Sequence, residues 1–117
     1  MELIDQVEKI VKALDLKKAE DITVLKIDDL TVMSDYFVIA SASNTTQLKA
    51  LAGEVEFELE KIDVRPSHIE GYEGGIWVLL DYGSIIVHLF LKDSRMFYSL
   101  ERLWSDAKQI DISNWLK

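Results

Sequence analysis

Residues 77–98 read WVLLDYGSIIVHLFLKDSRMFY, and this stretch decides the fold. Two apolar runs, 76–80 and 85–91, flank the turn Asp81-Tyr82-Gly83-Ser84. Short apolar runs separated by so brief a Gly-bearing turn pair as an antiparallel hairpin. Ser94 then stands where a helix N-cap belongs, and Phe97, Leu100, Leu103, Trp104 and Ala107 recur at helical spacing behind it.

Toward the N-terminus, Leu3, Ile4, Val7, Ile10, Val11 and Leu14 form one apolar stripe, which predicts a first helix ending before 17–21. Ile22, Val24, Leu25 and Ile27 predict a short strand, closed by a turn at Asp28-Asp29. The unbroken apolar run 36–40 predicts a central strand covered on both faces. Asn44 and Gln47 fit an N-cap and its N3 partner, opening a helix whose buried side is Leu48, Leu51, Ala52, Val55, Leu59 and Ile62. Residues 63–75 hold the only proline and read as a long connection.

The order is therefore helix, strand, strand, helix, hairpin, helix. Its economical layered solution is an α/β (α+β) fold, a mixed β-sheet flanked by helices. No repeat or linker divides the chain, so residues 1–117 are expected to form a single domain, with 108–117 a short tail that packs back.

Composition narrows the function classes. The formal charge of −8 opposes binding to a phosphate backbone and weakly favours a basic protein surface. The absence of cysteine excludes disulfides and thiolate chemistry. No apolar run approaches the roughly 20 residues that span a bilayer, and Glu2 and Asp5 do not fit a signal peptide. The expectation is a cytoplasmic protein with neither membrane nor sequence-specific nucleic acid as partner.

Catalytic signals are faint. His88 alternates with Ile86 and Phe90 and is expected to make one structural hydrogen bond, with a pairing to Asp81 across the hairpin as one option. No oriented third group completes a nucleophilic triad, and His68 and His88 share no metal-ligand spacing with a carboxylate. Asp28-Asp29 reads as an acidic turn, and 70–75 lacks the lysine and helix start of a phosphate loop. No metal, no cofactor and no enzyme activity are expected.

Surface aromatics are the stronger signal. Tyr98 lies about 100° from Phe97 around the last helix, beside Glu101, Arg102 and Ser105. It suits a partner anchor or an aromatic laid across the hairpin, and spacing leaves both open. Alternation sets Trp77 with Leu79 and Asp81, but Tyr82 with Val78 and Leu80, so a shared patch does not follow from the pattern. Phe57 projects opposite Leu48 among Glu54, Glu56, Glu58 and Glu60, a candidate dimer contact.

Taken together and in order, five segments are specific: 34–39 (SDYFVI), Glu70-Gly71, 77–83 (WVLLDYG), Val87-His88 and 95–104 (RMFYSLERLW). Over about residues 3–107 the chain resembles the ribosomal silencing factor family, also called Iojap-related. That resemblance implies a translation repressor that binds large-subunit ribosomal protein number fourteen. There it blocks subunit joining when nutrients or energy are limiting. It also implies a fold akin to nucleotidyltransferases and a homodimer when free. Carried over, the partner-binding residues are Trp77, Tyr82 and Tyr98, with the hairpin around Ile85; His88 and Arg95 match family positions in support. Ser84, where the family commonly has an acidic residue, and Ala42, where it has glycine, are modest departures. The rival readings are a weak or vestigial nucleotidyltransferase-like protein and an adaptor outside the ribosome.

Overall fold

The computed structural model describes residues 2–30, 32, 34–93, 105 and 107–116. The elements run α1 (Leu3–Leu16), β1 (Glu20–Lys26), β2 (Tyr36–Ala42), α2 (Thr45–Glu60), β3 (His68–Glu70), β4 (Trp77–Asp81), β5 (Ile85–Leu91) and β6 (Lys108–Gln109), then a 3-10 turn at Ser113–Trp115. They build one six-stranded sheet in the order β3-β4-β5-β2-β1-β6. The sheet is mixed, as expected. β2 and β5 run parallel, from Tyr36 beside Ile85 to Ala42 beside Leu91, and every other pairing is antiparallel. A parallel pair demands a crossover, and α2 lies within that connection.

Each sheet face carries its own apolar cluster. On one, Val38 and Ala40 of β2, Val78 and Leu80 of β4, and Val87 and Leu89 of β5 meet the stripes of α1 and α2. On the other, Leu25, Ile27, Phe37, Ile39 and Phe90 pack together, with Trp77, Ile86 and Ala107 against them. Alternate residues of β2 thus enter opposite cores, which is why its sequence is apolar without interruption.

The start of α2 is fixed by side chains. Asn44 Oδ1 accepts the Gln47 N–H at 2.8 Å, the N-cap bond anticipated from sequence. Gln47 Oε1 accepts the Ser43 N–H at 2.7 Å, one residue earlier than a standard capping box. Its amide nitrogen donates to the carbonyls of Lys17 and Lys18, at 3.2 and 3.0 Å. One glutamine therefore joins the entry of α2 to the exit of α1.

Two strands escape the sequence pattern. β3 arises inside the expected connection 63–75, and β6 inside the expected tail. The tail does pack back: Lys108 and Gln109 pair with Lys26 and Leu25, the Ile110 N–H donates to the Val24 carbonyl at 2.9 Å, and Ile112 enters the helix-side core. The anticipated C-terminal helix falls mainly on 94–104, outside the described residues.

Candidate partner-binding surface

The hairpin of β4 and β5 sets Trp77 opposite Phe90, Leu79 opposite His88 and Asp81 opposite Ile86. Its turn is held by the Tyr82 N–H donating to the Ile85 carbonyl at 2.9 Å and by Asp81 Oδ1 accepting the Gly83 N–H at 2.8 Å. Gly83 has φ of +82°, a left-handed conformation that excludes most residues with a Cβ. The Ser84 carbonyl accepts from Asp35 N–H at 2.8 Å, Tyr36 N–H at 3.0 Å and Ser34 Oγ at 3.0 Å. These three bonds fasten the hairpin tip to the entry of β2.

The hairpin separates its two aromatics. Trp77 packs with the second-face cluster, whereas Tyr82 packs against the helix-side core. Trp77 stacks on Phe90 at 5.9 Å between centroids and on His88 at 6.1 Å, both nearly coplanar, and Phe37 meets His88 edge-on at 4.6 Å. Burial pushes the Tyr82 hydroxyl pKa upward, helped by the nearby Glu56 carboxylate, and that hydroxyl has no hydrogen-bond partner among the described residues. Glu56 is itself pushed up, by burial and by Glu60. Trp77 and Tyr82 thus stand on opposite faces. Ile85, only 1% exposed, belongs to the core and fixes the hairpin from within.

His88 departs from expectation. Neither ring nitrogen has a hydrogen-bond partner among the described residues, where one structural bond was expected. The pairing with Asp81 fails because Leu79 lies directly across from His88 and the Asp81 carboxylate serves the Gly83 N–H. Burial holds the imidazole neutral, its pKa pushed down to about 4. The ring packs as an aromatic beside both Trp77 and Phe90, which also stack directly on each other.

Phe57 is 57% exposed, as its position opposite Leu48 predicts, and the Lys61 ammonium sits 4.5 Å from its ring centroid. Tyr98 and Arg95 lie outside the described residues. Residues 70–75 are less loose than their composition suggests: Gly71 has φ of +79°, and the Thr45 hydroxyl donates to the Gly75 carbonyl at 3.0 Å. Among the described residues, no group of three or more His, Asp or Glu is placed to hold a metal ion, and no helix is long and apolar enough to cross a membrane.

Comparison with known proteins joins this arrangement to a family. The family described as ribosomal silencing factor during starvation matches residues 1–117. The chain is similar to ribosomal silencing factor RsfS of Bacillus subtilis, 37% identical over 100 residues that cover 86% of this chain and 85% of the relative. It is similar to chloroplastic protein Iojap of Arabidopsis thaliana at 32% identity, covering 95% of this chain and 49% of that longer protein. A crystal structure of protein CV0518 from Chromobacterium violaceum superposes with a TM-score of 0.85 at 34% identity, covering 90% of this chain and 88% of that one. The chain belongs to the ribosomal silencing factor family. Its general role is therefore ribosomal silencing, a form of translational regulation.

Proposed function

We propose that this protein represses translation by binding large-subunit ribosomal protein number fourteen and occupying the space into which the small subunit must move. The family match across residues 1–117 carries this reading. Supporting it are an acidic chain of net charge −8, suited to a basic ribosomal protein, and a rigidly held hairpin that offers Trp77 and Tyr82 at its two faces. Tyr98 completes the proposed anchors, and Arg95 and His88 support them. Inhibition is stoichiometric, non-enzymatic and reversible, since occlusion needs no bond made or broken and no cofactor. The protein acts in the cytoplasm as one domain, is a homodimer when free with Phe57 as a contact, and shares a distant fold kinship with nucleotidyltransferases.

Co-sedimentation with isolated large and small ribosomal subunits tests the reading. The parent should pellet with the large subunit alone. Tyr98→Ala, folded by circular dichroism, should weaken that binding by about 1–3 kcal/mol, the range for an aromatic anchor. Trp77→Ala removes stacking on Phe90 as well as any contact, so its fold must be checked beside its affinity. Binding to neither subunit, or equally to both, would overturn the occlusion reading. Calorimetry with nucleotide and magnesium separates the nucleotidyltransferase alternative, and sedimentation with a non-ribosomal assembly would favour the adaptor.

A further inference from the structure

We propose that the outer edge of β3 accepts an added β-strand from an extended, basic segment of a partner protein. Among the described residues β3 is the outermost strand of the sheet at this side, and all three of its residues are exposed. Such an edge presents alternate backbone N–H and C=O groups to any chain that lies along it.

The side chains around this edge define what that chain must carry. Ile69 lies opposite Leu80, so it belongs to the helix side of the sheet. Tyr72 lies beneath the Lys49 ammonium of α2, 5.2 Å from ring centroid to nitrogen, and Ile76 alternates in phase with Val78 and Leu80. These three are exposed by 39%, 39% and 57%, a strip of apolar surface along one side of the edge. On the opposite side stand His68 and Glu70, paired at 2.9 Å, with Asp81 across from His68. Glu73 adds a further exposed carboxylate.

A strand alternating apolar and Lys or Arg residues satisfies both sides at once. Its apolar residues cover Ile69, and its cations meet Glu70 on the same strand. A second copy of this chain fits less well. It would bring another net charge of −8 and a second set of these carboxylates to the same edge. Pro66 and the left-handed Gly71 bound the strand, so the docking segment is short and its sequence must supply much of the affinity.

The test uses the full chain and a capped peptide of alternating lysine and valine, followed by amide NMR shifts. Saturable shifts are expected at 67–72. The same peptide with its valine amides N-methylated keeps its charge but cannot extend the sheet, and it should bind about tenfold more weakly or worse, a difference of about 1.4 kcal/mol. Ile69→Lys, which places a cation on the apolar side, should weaken the parent peptide to a similar degree. Equal binding of the N-methylated peptide would reduce the effect to charge attraction and overturn strand addition, even if Ile69→Lys does not fold. Shifts confined to the acidic side of α2 would also overturn it. So would concentration-dependent self-association through the edge, lost in Ile69→Lys, with no response to peptide. None of these readouts depends on ribosomes, so failure here leaves the large-subunit reading to its own assay.

Discussion

The buried, neutral His88 makes a pH-dependent stability that one substitution should erase. An imidazole in the unfolded chain takes a proton below pH about 6.5, whereas burial among Trp77, Phe37 and Phe90 holds the native ring neutral down to about 4. Between those limits the unfolded state binds more protons than the native state, so stability rises with pH. The contribution is fully present above about 6.5 and is lost as pH falls toward 4. Two and a half pH units at about 1.4 kcal/mol each give about 3–4 kcal/mol, an upper figure for a ring that has no relaxation open to it. His88→Leu keeps an apolar group of similar size and strands no hydrogen-bond partner, because neither nitrogen had one among the described residues. Urea unfolding at pH 7, 6 and 5 should show the parent losing stability more steeply than His88→Leu. Every other ionisable group is common to the two proteins, so its contribution cancels in the difference. Parallel pH profiles would refute the reasoning, and so would a native His88 imidazole that titrates near 6.5 by NMR.

Three further perturbations follow from the backbone and its caps. Gln47→Ala removes the acceptor for Ser43 N–H and the donor to Lys17 and Lys18, and should cost about 1–2 kcal/mol in chemical denaturation. Gly71→Ala should cost about 1–3 kcal/mol or more, read as a lowered urea midpoint, because φ is +79° and a Cβ there would meet the Trp77 carbonyl. Gly53→Ala, within α2 and with nothing within 4 Å of the added carbon, should instead stabilise by about 0.5–1 kcal/mol and raise the melting temperature.

The elements legible in the sequence are those whose identity lies within their own residues. The run from Tyr36 to Ala40 carries enough apolar side chains to announce a strand buried on both faces, and Asn44 with Gln47 announces a helix start. His68–Glu70 and Lys108–Gln109 contain too few residues for any period to show, and they become strands because Leu79–Asp81 and Leu25–Lys26 offer them an edge. The same boundary runs through the candidate surface. Alternation already set Trp77 and Tyr82 on different sides, and the structure keeps them apart. What it could not give was the neighbour of each side chain. His88 was readable as a strand residue, but its lack of a hydrogen bond among the described residues depends on Leu79 across the hairpin and on Phe37 from a strand distant in sequence. The links from Gln47 to Lys17 and Lys18 were hidden for the same reason, since they span two helices.

The parallel pairing of β2 with β5 also sets an order of assembly. Each of its contacts joins residues nearly fifty positions apart, from Tyr36 with Ile85 to Ala42 with Leu91. The β4–β5 hairpin closes across the three residues 82–84 and needs little chain entropy, while the parallel seam must wait until α2 and the intervening connection have been drawn in. Neither apolar cluster can be complete before that seam forms, because β2 and β5 contribute to both. The hairpin is therefore a local event, but the firm setting of its tip against Ser34, Asp35 and Tyr36 is one of the last things the folding chain acquires.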